Sequence, residues 1–250
     1  SGSVKLQKHN EAVLSQSDCD SGITLLCCAE PISNIVVEAR EINKVNEIEI
    51  KKLPSRIFYL KKVSRDVMIM TLQLPANQIL EYKSGQYIDI ILKNGKRRSY
   101  SIANAPDQSD KLTFHIRHMP GGIFTDQLFY SIKEKEILRF EGPMGTFFLR
   151  EDSSQPIIFL ASGTGFAPIK AIIEYLIRSE SQRKIFLYWG GRRPKDLYLD
   201  ILCKEWASKI KNFIYVPVVS GNFPKDNWKG RSGFVHKAVM DDFPDLSAFQ

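Results

Sequence analysis

The sequence predicts a small antiparallel β-barrel followed by a parallel α/β domain. Three observations predict it. Short alternating runs separated by turn residues fill the stretch from about Glu47 to Arg150, the pattern of an antiparallel barrel of at least six strands. Pro156 to Ile177 then reads as a buried strand, a glycine turn and an amphipathic helix. From there to Gln250 strand and helix patterns alternate, which makes the second sheet parallel. With 250 residues, 43% hydrophobic and 25% charged, the chain is long enough for two globular domains.

Residues 1–46 differ from the rest of the chain. They carry polar turns, the run Ile23 to Cys28 and a strand-like segment Ile35 to Ala39, too little apolar surface to bury a core alone. In the barrel region Arg56 to Val63 and Val67 to Leu74 flank Ser64-Arg65-Asp66, and Gly85 to Leu92 and Arg97 to Ala103 flank Asn94-Gly95. Asn-Gly between alternating runs predicts a two-residue hairpin turn with both central residues at positive φ. Leu112 to His118 and Ile137 to Glu141 complete the set.

Ile157 to Ala161 is a continuous apolar run, as expected of a strand buried on both faces of a parallel sheet. Gly163, Thr164, Gly165 and Pro168 come next, then Ile169, Ile172, Ile173, Leu176 and Ile177 form one helical stripe. Two glycines let the backbone approach a bulky anion, and Pro168 suits the first helical turn. Such a helix start offers unpaired N–H groups to a phosphate. Ile185 to Trp189 reads as a strand ending in Gly190-Gly191-Arg192-Arg193, where an NAD-binding Rossmann fold places an acidic residue. Arg192 and Arg193 in that place tilt the reading toward the 2′-phosphate of NADPH and leave NADH open, since loop arginines can equally be solvent-facing. Leu197 to Ile210 reads as a helix and Phe213 to Val219 as a strand.

Composition narrows the function. The net charge of +7 comes from dispersed Lys and Arg without a basic block, so a basic surface that steers dinucleotides or an acidic protein is expected, and nucleic-acid binding is not. No run approaches a membrane span and no signal-peptide pattern opens the chain, so a cytoplasmic protein without membrane insertion is expected. Cys19, Cys27, Cys28 and Cys203 form no C-x-x-C pair and read as reduced thiols. His9, His115, His118 and His236 lack zinc-ligand spacing and read as structural, His115 and His118 on strand faces.

Three polar stretches on the barrel precede the glycine turn in a telling order: Arg98-Ser99-Tyr100-Ser101, Gly121-Gly122-Ile123-Phe124-Thr125, and Gly142-Pro143-Met144-Gly145-Thr146. With Gly163-Thr164-Gly165-Phe166-Ala167-Pro168 behind them, residues 53–250 resemble the ferredoxin-NADP⁺ reductase superfamily, in which a flavin-binding barrel precedes a Rossmann-like nucleotide-binding domain. The resemblance implies that Arg98 pairs with the FAD pyrophosphate, Tyr100 packs on the flavin, Ser101 bonds near flavin N5, the backbones of Ile116 and Arg117 run along the flavin, and Gly122 and Thr125 form a phosphate turn. It implies NAD(P)H bound over Gly163 to Pro168. A further strand beyond Gln250, carrying a Cys-Gly-x-Pro turn, is also implied.

Ser1-Gly2-Ser3-Val4, Val13-Leu14-Ser15 and Gly22 to Pro31 with Ser33 and Val36-Val37-Glu38 resemble the second half of a plant-type ferredoxin domain. Cys27 matches the fourth ligand of its [2Fe–2S] cluster, to be completed only in a longer parent protein. The chain is thus read as a ferredoxin remnant (1–46), an FAD-binding barrel (47–150) and an NAD(P)-binding domain (151–250). It resembles reductases serving oxygenases and the reductase of CDP-6-deoxyhexose biosynthesis, with overall likeness leaning to the latter. The resemblance implies that a hydride passes from NAD(P)H to FAD, and that single electrons then pass through the parent protein's [2Fe–2S] cluster to a dehydrase or oxygenase partner. A free flavin reductase and a non-catalytic nucleotide-binding module remain as alternatives.

Overall fold

The structure, a computed structural model, describes residues 2–9, 11, 13–38, 48–107, 109–221 and 224–250. It contains two compact units, Ser1–Lys44 and Val45–Gln250. The expected boundary between residues 46 and 47 falls outside the described residues.

In the small unit β1 (Val4–Leu6) pairs antiparallel with β2 (Ala29–Pro31). The short helix α1 (Gln16–Asp20) starts with a capping box: Asp18 N donates to Ser15 Oγ at 3.2 Å, and Ser15 N donates to Asp18 Oδ2 at 2.9 Å. Of the unit's described hydrophobic residues only Leu14 is fully buried, so the unit has almost no core, as its composition implies. The expected strand over Ile35 to Ala39 is not found for Ile35 to Glu38, and Ala39 lies outside the described residues. Apolar residues make a strand only with a ladder partner, and Val36 and Val37 are largely exposed.

The larger unit begins with the barrel. Its strands are β3 (Lys51–Lys62), β4 (Val67–Gln73), β5 (Tyr87–Ile91), β6 (Arg97–Ser101), β7 (Lys111–Arg117) and β8 (Ile137–Met144). They form one antiparallel sheet in the order β6-β5-β8-β3-β4-β7, and a bridge from Ile102 to Phe114 brings its two edges together. Alternation decides what goes inside: Met68, Met70 and Leu72 of β4 and Phe114 and Ile116 of β7 fill the interior with Ile57, Ile88, Ile90 and Phe140. Fully burying such a side chain contributes about 1.5–3 kcal/mol. The β5–β6 hairpin forms as expected, but its turn differs. Leu92 N donates to Lys96 O at 2.8 Å and Gly95 N to Leu92 O at 2.9 Å, and of Asn94 and Gly95 only Gly95 has positive φ, +78°. This is a three-residue loop, in which one left-handed glycine is enough. Helix α2 (Ile123–Tyr130) lies between β7 and β8.

The α/β part contains β9 (Ile157–Ser162), α3 (Phe166–Arg178), β10 (Ile185–Gly191), α4 (Asp200–Lys209), β11 (Phe213–Val219), β12 (Arg231–Ser232) and α5 (Val235–Asp242). The sheet is parallel in the order β12-β11-β10-β9. Residues Ile185 to Gly190 of β10 are all buried. β9 is not covered in that way: Leu160 is 44% exposed, because β9 ends the four-strand order and Leu160 turns toward a cavity. The helix expected from Leu197 begins at Asp200, after a 3₁₀ turn at Pro194–Asp196.

Two polar clasps join barrel and α/β part. Lys170 Nζ of α3 donates to Ala103 O at 3.0 Å and to Glu174 Oε1 at 2.5 Å, while Glu174 Oε2 accepts from Ala105 N at 3.3 Å. The second is a hydrogen bond of 2.9 Å between His115 Nδ1 and Tyr198 Oη.

Candidate active site

The first cluster of expected residues lies on β6 and α2. The β5–β6 register is unbroken from Tyr87↔Ser101 to Ile91↔Arg97, so Arg98 and Tyr100 share one face and Ser101 lies on the other. Arg97 is spent on Glu141, at 2.6 Å. Arg98 makes no ion pair among the described residues; its one hydrogen bond there runs from Nη1 to Arg97 O, 2.7 Å. Most of its guanidinium fork is therefore available to an anion. Tyr100 is half-buried against the barrel interior and packs on Phe124 of α2, ring centroids 5.6 Å apart. Burial pushes its phenol up to about 12, against the pull of the Arg98 charge, so it stays protonated. This packing brings Tyr100 to the first turn of α2, where Gly122 is the N-cap, and Arg98 shares the strand face of Tyr100. A helix N-terminus beside a guanidinium and an aromatic face fits a flavin dinucleotide.

Thr125 lies in the turn it shares with Gly122. It is 6% exposed, and its Oγ1 donates to Met119 O at 2.9 Å and accepts from Met119 N at 3.2 Å. The hydroxyl closes the turn that leads into α2. Asp126 also works on this turn, accepting from Gly121 N at 3.1 Å and pairing with His118 Nε2 at 2.8 Å. His118 lies just past β7 and stacks on Phe129 at 4.6 Å.

The second cluster surrounds a cavity of about 560 Å³. Gly163, Thr164 and Arg192 line it, together with Leu160, Ser162, Gly190, Gly191, Asp196, Ser220 and Gly233 to His236. Gly163 has φ +52° and opens a 3₁₀ turn, Gly163–Gly165, that runs straight into α3 with Pro168 in its first turn. Gly165 has helical backbone, φ −58°, and a Cβ there would meet nothing within 4 Å. It leaves space, where Gly163 permits a turn.

Ile116 and Arg117 separate. Ile116 is fully buried in the barrel core, whereas the exposed Arg117 guanidinium reaches the cavity. Its Nε donates to Asp66 Oδ2 at 2.8 Å, and its Nη1 lies 3.4 Å from the place of a Cβ on Gly163. Strand alternation produces the split, since 115 and 117 face the α/β part and 114 and 116 face inward. The two loop arginines also part company. Arg193 forks onto Asp226, with Nε 2.7 Å from Oδ2 and Nη2 on Oδ1, and Arg192 is exposed at the cavity wall.

Cys27 is exposed on a 3₁₀ turn, Leu26–Cys28, not on a strand, and Cys27 Sγ lies 3.7 Å from Cys28 Sγ. Cys203 is buried in α4. Among the described residues no group of three or more His, Cys, Asp or Glu side chains is arranged to hold a metal, so the described residues do not fit a cluster that takes four protein ligands. No described helix is long and apolar enough to cross a membrane.

Comparison with known proteins agrees with this geometry. Residues 55–149 match the oxidoreductase FAD-binding domain family, and residues 159–249 match the oxidoreductase NAD-binding domain family. A CDP-6-deoxy-L-threo-D-glycero-4-hexulose-3-dehydrase reductase of Yersinia pseudotuberculosis is 44% identical over 94% of this chain and 70% of its own length. Reductase component 1 of a Comamonas terephthalate 1,2-dioxygenase is 35% identical over 91% of this chain and 67% of its own. The crystal structure of an Amycolatopsis cytochrome P450 reductase superposes with a TM-score of 0.74 at 29% identity, covering 100% of this chain and 75% of that one. The chain belongs to the ferredoxin-NADP⁺ reductase superfamily and is an NAD(P)H-dependent flavoprotein reductase.

Proposed function

We propose that this protein takes reducing equivalents from NAD(P)H bound over Gly163 to Pro168 and delivers them to a partner enzyme, a sugar-nucleotide dehydrase or an oxygenase component. The observation that carries the reading is the approach of Arg117 to Gly163. A cation of the barrel stands over the glycine turn of the nucleotide domain, and one cavity is lined from both parts, by Asp66, Val67 and Arg117 of the barrel and by Gly163, Thr164 and Arg192 of the α/β part. FAD supplies the step between them, since it accepts a hydride and releases electrons singly.

Each part of the chain has a role in this reading. Arg98 and the N–H groups at the start of α2, from Gly122 on, hold the FAD pyrophosphate, with Thr125 bracing their turn. Tyr100 packs on the flavin, and Ser101, the last residue of β6, offers its hydroxyl near N5 around the strand end. Ile116 shapes the wall as core, while Arg117 serves the nicotinamide dinucleotide with its side chain. Gly163, Thr164 and Gly165 present N–H groups to that dinucleotide, Pro168 fixes the first turn of α3, and Arg192 meets a 2′-phosphate. We assign residues 47–150 to FAD, 151–250 to NAD(P)H and 1–46 to a ferredoxin-like remnant. No step is assigned to a [2Fe–2S] cluster, and Cys27 is one thiol of the four it takes. Four free cysteines suit a reducing compartment, the cytoplasm.

The dehydrase partner is favoured by the Yersinia relative's identity over most of this chain. The test is NAD(P)H-dependent reduction of ferricyanide by the FAD-loaded chain after gel filtration. The expected result is steady reduction with FAD still bound. Reduced flavin eluting apart from the protein would favour a free flavin reductase, and nucleotide binding without reduction would favour a non-catalytic module.

A further inference from the structure

Trp189 is an unexpected neighbour of the glycine turn. It is fully buried in β10, yet its Nε1 donates to Gly163 O at 3.0 Å. The same oxygen accepts the Phe166 N–H that closes the 3₁₀ turn, so both of its lone pairs are used. The indole also stacks on Phe166, centroids 4.1 Å apart and planes at 19°. One side chain thus grips the turn at both ends.

The grip has a direction. A trans peptide sets its C=O and N–H on opposite sides, and the Gly163–Thr164 bond is not among the cis bonds of the described chain. With the Gly163 oxygen drawn into the core by Trp189, the Thr164 N–H points outward, and Thr164 lines the cavity. Were this peptide to turn over, a carbonyl oxygen would face the phosphate instead. At a glycine the turnover meets little steric resistance. Trp189 is itself oriented by Tyr198, which lies edge-on at 5.1 Å and 89° and hydrogen-bonds His115 of the barrel.

We propose that Trp189 is the positioning residue that aims the Gly163–Thr164 peptide N–H at the pyrophosphate of the pyridine nucleotide. This rests on the assignment of the glycine turn to NAD(P)H. Trp189→Phe keeps an aromatic ring on Phe166 and removes the donor. Trp206→Phe is the control, because Trp206 belongs to the same aromatic cluster, 6.4 Å from Phe166, with no hydrogen bond to the turn.

The experiment compares FAD-loaded wild type, Trp189→Phe and Trp206→Phe by equilibrium dialysis of NADP⁺ and NAD⁺ and by hydrogen exchange of residues 163–167. Expected are nucleotide binding weakened about tenfold and faster exchange in Trp189→Phe, with neither effect in Trp206→Phe. Unchanged binding and exchange in Trp189→Phe, or equal losses in the control, overturns the proposal. If wild type binds neither nucleotide, the NAD(P)H assignment fails and the proposal with it, whereas faster exchange in Trp189→Phe still shows the grip on the turn. Should Trp189→Phe not fold, ¹⁵N-indole NMR of wild type decides. The protein has three tryptophans, and the Trp189 indole resonance must shift with NADP⁺ while that of Trp206 stays; a stationary Trp189 signal overturns the proposal.

Discussion

His115 Nδ1 and Tyr198 Oη stand 2.9 Å apart where strand β7 of the barrel meets the loop before α4. His115 is 5% exposed, and its Nε2 is buried with no partner among the described residues. Burial, helped by the Lys170 charge, pulls its pKa down to about 3.

A buried neutral histidine makes stability depend on pH. Between about pH 3 and 6.5 the unfolded imidazole binds a proton that the folded one does not, so stability rises with pH across that window. The contribution is complete above about pH 6.5 and is lost as pH falls, at no more than about 1.4 kcal/mol per pH unit. Urea unfolding of wild type and His115→Phe between about pH 7 and pH 5 checks it. The wild-type slope should exceed the variant's by about one proton; parallel slopes contradict the buried neutral histidine.

The two glycines of the turn should separate stability from binding. Gly163→Ala forces a Cβ into a left-handed backbone and is expected to cost about 1–2 kcal/mol of folding stability. Gly165→Ala has helical backbone and empty surroundings, so it should leave stability unchanged or raise it by up to about 1 kcal/mol. If the turn holds the nucleotide pyrophosphate as proposed, both should weaken NADP⁺ binding, because each adds a methyl to the turn. Denaturant curves and equilibrium binding on both variants check this, and undiminished binding by Gly165→Ala contradicts it.

Arg98→Ala should weaken FAD retention by about 2 kcal/mol, the scale of a charge-assisted phosphate contact. Flavin content after dialysis reads the effect, and an unchanged content removes Arg98 from the FAD site. Arg97→Ala is the comparison, since Arg97 is already committed to Glu141.

Arg192→Ala should raise KM for NADPH several-fold more than KM for NADH, because only NADPH carries the 2′-phosphate. Arg193, tied to Asp226, should show no such difference. Equal effects on the two coenzymes would remove Arg192 from coenzyme selection.

Much of this architecture is legible in the sequence because local patterns and long-range packing agree. The run Pro156 to Ile177 forms strand, turn and helix within a few residues of expectation, and Arg98 and Tyr100 share a face because alternation has period two. What escapes depends on contacts between elements. Nothing local in Ile157 to Ala161 distinguishes Leu160 from its neighbours; its exposure follows from the position of β9 in the sheet. Thr125 hydrogen-bonds Met119 of its own turn, a local closure that the spacing of glycine and threonine does not specify. Arg117 enters the cavity only because β7 faces the α/β part, and Trp189 reaches Gly163 only because β10 lies beside β9. The alternation that puts 115 and 117 on one face is visible in the sequence, but the partner across that face is not.

A flavin reduced by NAD(P)H on this chain is tested most directly by the anaerobic visible absorption spectrum of the FAD-loaded protein before and after adding NADPH and then NADH. The expected spectrum has a yellow flavin band that bleaches on addition of one or both donors. A protein that stays colourless when supplied with FAD, or a bound flavin that neither nucleotide bleaches, contradicts flavin reduction on this chain.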